Sequence, residues 1–223
     1  MDKTKPCLCF DFDGTIVDSF EIFAEKIQFL AAEFGYRAIS QDEIKRLREK
    51  DAMEAFKSLN IPPNKVGLFF ERMRQEVGNE VMRLVPARGI AEALKSLHKE
   101  GYLMGIVSSN SEETVKAFLS SHRLKVFDFF CCGYGLSGKA DALGRVLRDR
   151  HLKPQNVVYI ADEVRDAEAA RQVGIRFGVV SWGFSAIERF DAYSPDYVFE
   201  KPADIPLMLR RANKEALAFP ELA

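Results

Sequence analysis

Two absences frame this sequence: it has no long apolar run and almost no net charge. Its longest apolar stretches are too short to span a bilayer, so no membrane partner is expected. A formal net charge of −1 over 223 residues gives no general attraction for nucleic acid or other polyanions. Residues 1–6 are polar, so no signal peptide is expected and the compartment should be the cytoplasm. Cysteine is sparse: Cys7 and Cys9 form one pair, Cys131 and Cys132 the other. Neither pair has the C-x-x-C spacing of a zinc or redox site, and buried, reduced core thiols are the expectation. No internal repeat and no low-complexity stretch occurs, which excludes a solenoid or a linker-rich array. What is present is ordinary for a globular protein, 47% hydrophobic and 29% charged, in a chain long enough for one large core or a core with an insertion.

The pattern divides unevenly. Cys7-Leu8-Cys9-Phe10 is a buried-type strand. The sequence then turns helical, with Asp18 or Ser19 as cap and Phe20, Phe23, Ile27, Leu30, Ala31 and Phe34 recurring every three or four residues up to Gly35. Further helical patterns cover 41–58 and 64–84, and no β-rich run occurs between 18 and 85. From residue 88 strands and helices alternate: strands at 102–107, 127–132, 156–161, 177–180 and 196–199, with helices at 90–97, 111–119, 140–150, 164–173 and 203–218. Alternation of this kind predicts an α/β fold, a Rossmann-like doubly wound parallel sheet. Because one strand precedes the helical block and the others follow it, the block should be an insertion after strand 1: core 1–17 and 86–223, insertion 18–85.

The polar residues with chemical potential fall at strand ends. Asp11 and Asp13 follow the first strand, and Gly14-Thr15 break it. Residues two apart on a regular strand share a face, so two acids there would need compensation, most simply from a divalent metal. Ser108, Ser109 and Asn110 follow the strand ending at Val107; Lys139 lies in the turn before the 140–150 helix; Asp162, Glu163 and Asp166 follow the strand ending at Ala161. In a parallel sheet these ends gather on one rim, where ligands bind.

Together these stations resemble the four motifs of the haloacid dehalogenase superfamily: Asp11-x-Asp13-Gly14-Thr15, then Ser108, then Lys139, then Asp162-x-x-x-Asp166. The resemblance spans nearly the whole chain, and the helical insertion is similar to the small α-helical cap of the phosphoglycolate phosphatase-like branch. It implies Mg²⁺-dependent hydrolysis of a small phosphate monoester, with Asp11 the nucleophile and Asp13 the acid/base. Mg²⁺ would be held by Asp11, Asp162, the Asp13 carbonyl, and Asp166 directly or through water. Thr15, Ser108, Ser109, Asn110 and Lys139 would hold the phosphoryl group. Ala161 departs from the family's usual Gly, and Glu163 reads either as a first-turn helix acid or as an outer ligand.

The leaving group should be read by the insertion. Arg37, Lys45, Arg46, Arg48 and Lys50 could grip a carboxylate, with Arg46 and Arg48 the substrate-binding candidates, although Asp42, Glu43 and Glu49 interleave and equally describe a solvated face. Trp182-Gly183-Phe184 could line the mouth of the site or pack in the core. The partner expected is a small phosphorylated metabolite, and the protein should be a monomer or homodimer. A sugar phosphomutase of the same superfamily and a catalytically silent binding protein are the alternatives.

Overall fold

The computed structural model describes residues 5–37, 39–40, 43, 59–134 and 138–218, with side chains as far as 214. In chain order the elements are β1 (Cys7–Phe10), β2 (Val17–Asp18), α1 (Phe20–Phe34), α2 (Val66–Asn79), β3 (Val85–Pro86), α3 (Ile90–Lys99), β4 (Met104–Ser108), α4 (Glu112–Ser121), β5 (Phe129–Cys132), α5 (Lys139–Asp149), β6 (Val157–Ala161), α6 (Val164–Val173), β7 (Arg176–Val180), β8 (Tyr197–Phe199) and α7 (Asp204–Ala218). Six strands form one parallel sheet in the order β5-β4-β1-β6-β7-β8.

Burial on both faces explains the apolar strands. Every residue of β1, β4 and β6 is buried, so these strands cannot alternate apolar with polar. Along β1, Leu8 and Phe10 join one core with Leu94, Phe118 and Ile205 from α3, α4 and α7. Cys7 and Cys9 point to the opposite core, with Ala142, Val146 and Ala170 from α5 and α6. The period of two thus feeds two separate layers, which is the doubly wound α/β architecture expected. All four cysteines are free; Cys7 and Cys9 are buried, Cys131 and Cys132 half-buried.

The topology creates one special place. From β1 the sheet grows to one side through β4 and β5. It then returns to the other side of β1 with β6, β7 and β8. Ligand crevices open at such a reversal, outside the carboxyl ends of the strands. Here the reversal puts the end of β1 beside the end of β6, and the Asp11 N–H still donates to the Ile160 carbonyl at 2.9 Å.

The segment between β1 and β4 departs from the sheet and comes back to it. β2 and β3 pair antiparallel, Val17 against Pro86 and Asp18 against Val85, so the two ends of the helical stretch meet. The sequence pattern shows no such pair because each strand is two residues long. Helices α1 and α2 are tied by Arg72–Glu33, and α1 is tied to the turn after α2 by Arg83–Glu25 and Lys26–Glu80. The Phe34–Phe69 edge contact at 5.0 Å joins the two helices as well. Helix α1 stops at Gly35, which takes a left-handed φ of 75°. Helix α2 ends at Asn79, earlier than its hydrophobic periodicity predicts, in a turn closed by the Glu80 N–H on the Val77 carbonyl. Of the helix expected at 41–58 only Glu43 is among the described residues; Lys45, Arg46, Arg48 and Lys50 lie outside them. No helix among the described residues is long and apolar enough to cross a membrane.

Candidate active site

Strand β1 ends at Phe10, before the two acids. The chain then turns tightly: Ile16 and Val17 N–H both donate to the Phe12 carbonyl, and Gly14 N–H to the Val17 carbonyl. Strand alternation therefore does not carry through to Asp13, and the expectation that Asp11 and Asp13 share a strand face gives way to two different environments. Asp11 faces Lys139, with Lys139 Nζ 2.9 Å from its Oδ2. Asp13 faces the β4–α4 loop, where Asn110 Nδ2 donates to its Oδ2 at 2.5 Å.

Lys139 opens α5 and is buried. Its ammonium is shared by Asp11, by Asp166 at 2.8 Å, and by the Tyr159 hydroxyl at 2.6 Å. Burial by itself would lower the lysine's pKa, but the Asp11 and Asp166 carboxylates outweigh it and hold it well above the usual range. The same burial pushes Asp11 up to about 7, with Lys139 only partly opposing. Burial also raises Asp13, against the polar side chains of Ser19 and Asn110.

Asp162, from the end of β6, has no exposed surface. Thr15 Oγ1 donates to its Oδ1 at 2.9 Å and the Phe184 N–H to its Oδ2 at 2.7 Å. Two glycines press on it. A Cβ at Gly14 would fall 2.1 Å from Asp162 Oδ2, and one at Gly183 would fall 2.1 Å from its Cβ. Gly14 also takes a φ of 71°, so both space and backbone require glycine there. Burial, with the Glu163 and Asp11 charges adding to it, raises the Asp162 pKa well above the ordinary carboxylate range. Asp166 spends one oxygen on Lys139 and the other on the Glu163 N–H at 3.2 Å. Glu163 sits at the N-cap of α6 and accepts from Arg165 Nε at 2.7 Å.

The structure thus brings Asp11, Asp13, Ser108, Asn110, Lys139, Asp162 and Asp166 to one rim. Ser108 is buried, and its Oγ accepts from the Asn110 N–H at 3.2 Å; Ser109 is half-buried beside it. Of the residues expected to hold substrate, Thr15 and Asn110 have their side chains committed to Asp162 and Asp13. Arg46 and Arg48 lie outside the described residues; Arg37 is exposed and paired with Glu43, Nη1 to Oε2 at 3.0 Å. Trp182 packs half-buried against the core and donates from Nε1 to the Thr15 carbonyl at 3.0 Å. Ser19 occupies the N-cap of α1 without making a cap bond; its buried hydroxyl acts instead on the Asp13 carboxyl, and among the described residues neither it nor Asp13 Oδ1 makes a hydrogen bond of good geometry.

Tyr159 escaped the sequence reading. Its only signal was a hydroxyl-tipped ring in the otherwise aliphatic run Val157-Val158-Tyr159-Ile160-Ala161. The contacts of Trp182 and Phe184 were equally illegible. The partner of Trp182 lies 167 residues away in the β1 turn, and that of Phe184 lies 22 residues away at the end of β6.

Asp11, Asp162 and Asp166 each place a carboxylate oxygen within 4.8 Å of the other two, and all three are buried. Lys139 meets two of these charges, so the set stays electron-rich and desolvated. Hard oxygen donors with excess negative charge fit a hard divalent cation.

Comparison with known proteins agrees with this geometry. Residues 8–180 match the family model described as haloacid dehalogenase-like hydrolase. A phosphoglycolate phosphatase of Synechococcus elongatus is 32% identical over 199 residues, 89% of this chain and 94% of its own. The pyrophosphatase PpaX of Listeria monocytogenes is 23% identical over 209 residues, 91% of this chain and 95% of its own. A haloacid dehalogenase-like family hydrolase from Streptococcus pneumoniae superposes with a TM-score of 0.77 at 20% identity, covering 92% of this chain and 98% of the other. The fold and site define a doubly wound parallel α/β protein with a carboxylate-rich rim. The chain belongs to the haloacid dehalogenase-like hydrolase family.

Proposed function

We propose that this protein is a Mg²⁺-dependent phosphomonoesterase that acts on a small phosphorylated acid through an aspartyl-phosphate intermediate. The observation that supports it most is the pairing of two differently held carboxylates, Asp11 on Lys139 and Asp13 on Asn110, next to Asp162. One carboxylate is set against a cation, as a nucleophile for an anionic phosphoryl group needs. The other stands apart, free to move a proton.

In this reading Asp11 attacks phosphorus while the P–O bond to the leaving group breaks. Asp13 gives the leaving oxygen a proton and later takes one from the water that releases phosphate. Ser108 and the backbone N–H that follows it hold phosphoryl oxygens, and Lys139 spreads positive charge over Asp11 and the phosphoryl group. Asp11, Asp162 and the Asp13 carbonyl would hold Mg²⁺. Asp166, whose two oxygens already accept from Lys139 and the Glu163 N–H, would reach it through water. The metal would neutralise phosphoryl charge when bound. Residues 18–85 serve as the cap, hinged where β2 meets β3, and Arg46 and Arg48 read the leaving group's carboxylate.

The substrate class follows the Synechococcus relative, whose name is phosphoglycolate phosphatase. The test is phosphate release from phosphoglycolate, sugar phosphates, nucleotides, pyrophosphate and an aryl phosphate, with and without Mg²⁺, beside Asp11→Asn. Release that needs both Mg²⁺ and Asp11 and favours phosphoglycolate is expected, with the variant slower by at least about 1,000-fold. Metal-independent release, or an active Asp11→Asn protein, would overturn the reading.

A further inference from the structure

The amide of Asn110 is spent on another residue of the site. It lies in the β4–α4 loop, is 5% exposed, and donates from Nδ2 to Asp13 Oδ2 at 2.5 Å. Its backbone is held on both sides. The Asn110 N–H donates to Ser108 Oγ at 3.2 Å, and the Asn110 carbonyl accepts from the Gly133 N–H at 2.8 Å, just beyond β5. A side chain fixed at both backbone groups and at its tip has little freedom to serve a substrate as well. Among the described residues the other carboxylate oxygen, Asp13 Oδ1, is buried and makes no hydrogen bond of good geometry, and the Ser19 hydroxyl is the other polar side chain that acts on this carboxyl.

We infer that Asn110 is a positioning residue that clamps Asp13 by Oδ2 and so reserves Oδ1 as the proton-transfer atom. The inference rests on the phosphomonoesterase reading. An amide N–H can only donate. Oδ2 can accept from it whether Asp13 is ionised or protonated, but it cannot carry the mobile proton while the amide hydrogen points at it. The proton therefore resides on Oδ1. As Asp11 forms its bond to phosphorus and the P–O bond to the leaving group breaks, that proton passes from Oδ1 to the leaving oxygen, giving a neutral alcohol. In the second half, water bonds to phosphorus and returns a proton to Oδ1, and the Asp11–phosphorus bond breaks. Asn110 takes part in neither bond change. It holds the carboxyl plane at the angle both transfers need, a task that an amide on a doubly anchored backbone performs better than a mobile side chain.

The role has a signature that phosphate binding and general structural support lack. An alkyl phosphate must expel a strongly basic alkoxide and needs the acid; p-nitrophenyl phosphate expels a stable anion and does not. The experiment measures kcat/KM, which reports steps through phosphoryl transfer, for phosphoglycolate and for p-nitrophenyl phosphate at saturating Mg²⁺. It is run on the wild type, Asn110→Ala and Asn110→Leu. The leucine variant keeps the shape without the donor and covers an alanine variant that melts too low to assay. General acid catalysis contributes about 100- to 10,000-fold, so a mispositioned acid should cost roughly 100-fold on phosphoglycolate and under about threefold on the aryl ester. Equal losses on both esters would overturn the inference, assigning Asn110 to the phosphoryl group or to folding. No loss on phosphoglycolate would overturn it as well. A wild type inert toward both esters would instead sink the phosphatase reading itself, and with it this deduction.

Discussion

Asp11 concentrates the electrostatic problem of the site. Burial pushes its pKa up to about 7 from an ordinary 3.8. Between about pH 4 and pH 7 the native state therefore retains a proton that the unfolded chain has released. By linkage the metal-free protein loses stability as pH rises through that window, and the loss levels off above it. Asp11→Asn mimics the protonated acid at every pH. Unfolding followed in chelator should show the variant matching the wild type near pH 4 and exceeding it at pH 8, by on the order of a few kcal/mol. A constant difference across the range, or a wild type that is the more stable at pH 8, would mean that Asp11 is not destabilised by burial. The same variant should be nearly inactive, so one substitution separates what the carboxylate costs the fold from what it does in catalysis.

The elements matter here chiefly through their ends. The loop after β7 is not part of the family-like stations, yet it closes over Asp162: Phe184 N–H bonds the carboxylate, Trp182 bonds the Thr15 carbonyl, and Phe184 meets Phe20 and Phe23 of α1 at 5.9 and 5.6 Å. Gly183 is the close approach that permits this, because an added Cβ would lie 2.1 Å from Asp162 Cβ. Gly183→Ala should displace the carboxylate and raise the Mg²⁺ concentration for half-maximal activity about 10- to 100-fold, the usual effect of disturbing a ligand's supports. Gly67→Ala in α2, where nothing lies within 4 Å, is the control and should leave the titration unchanged. Identical titrations for both variants would show that the loop does not orient Asp162.

At the scale of the whole molecule, the site is assembled from the ends of β1, β4 and β6, the start of α5 and the loop after β7, so its ligands bind the folded state only. Mg²⁺ together with beryllium trifluoride, a phosphoryl mimic, should raise the melting temperature. A ligand at about one hundred times its Kd adds about 2.7 kcal/mol, which for a chain of this size is roughly 5–10 °C. Asp11→Asn should abolish the part of the shift that depends on fluoride. A shift of equal size in the variant would place the mimic elsewhere. The pairing of β2 with β3 brings the two ends of the helical segment together, and the Phe184–Phe20–Phe23 cluster gives it a second footing beside Asp162.

Much of this was legible without coordinates, because strand burial and strand-end chemistry are local. The apolar runs at 7–10, 102–107, 127–132, 156–161, 177–180 and 196–199 all became sheet strands close to their expected ends. Gly35, Ser111 and Gly174 mark helix boundaries through short-range backbone and hydroxyl bonds. The rim position of Asp11, Ser108, Lys139, Asp162 and Asp166 follows from parallel alternation alone. What only the tertiary structure decided is which group each side chain serves. Thr15 turned to Asp162, Asn110 to Asp13, and Tyr159 to Lys139 because β6 lies beside β1 and β4 on its other flank. The first two pairings join atoms 2.9 and 2.5 Å apart across 147 and 97 residues of chain. Periodicity carries no information about such pairings; they are settled by the cost of leaving a buried polar group without a partner.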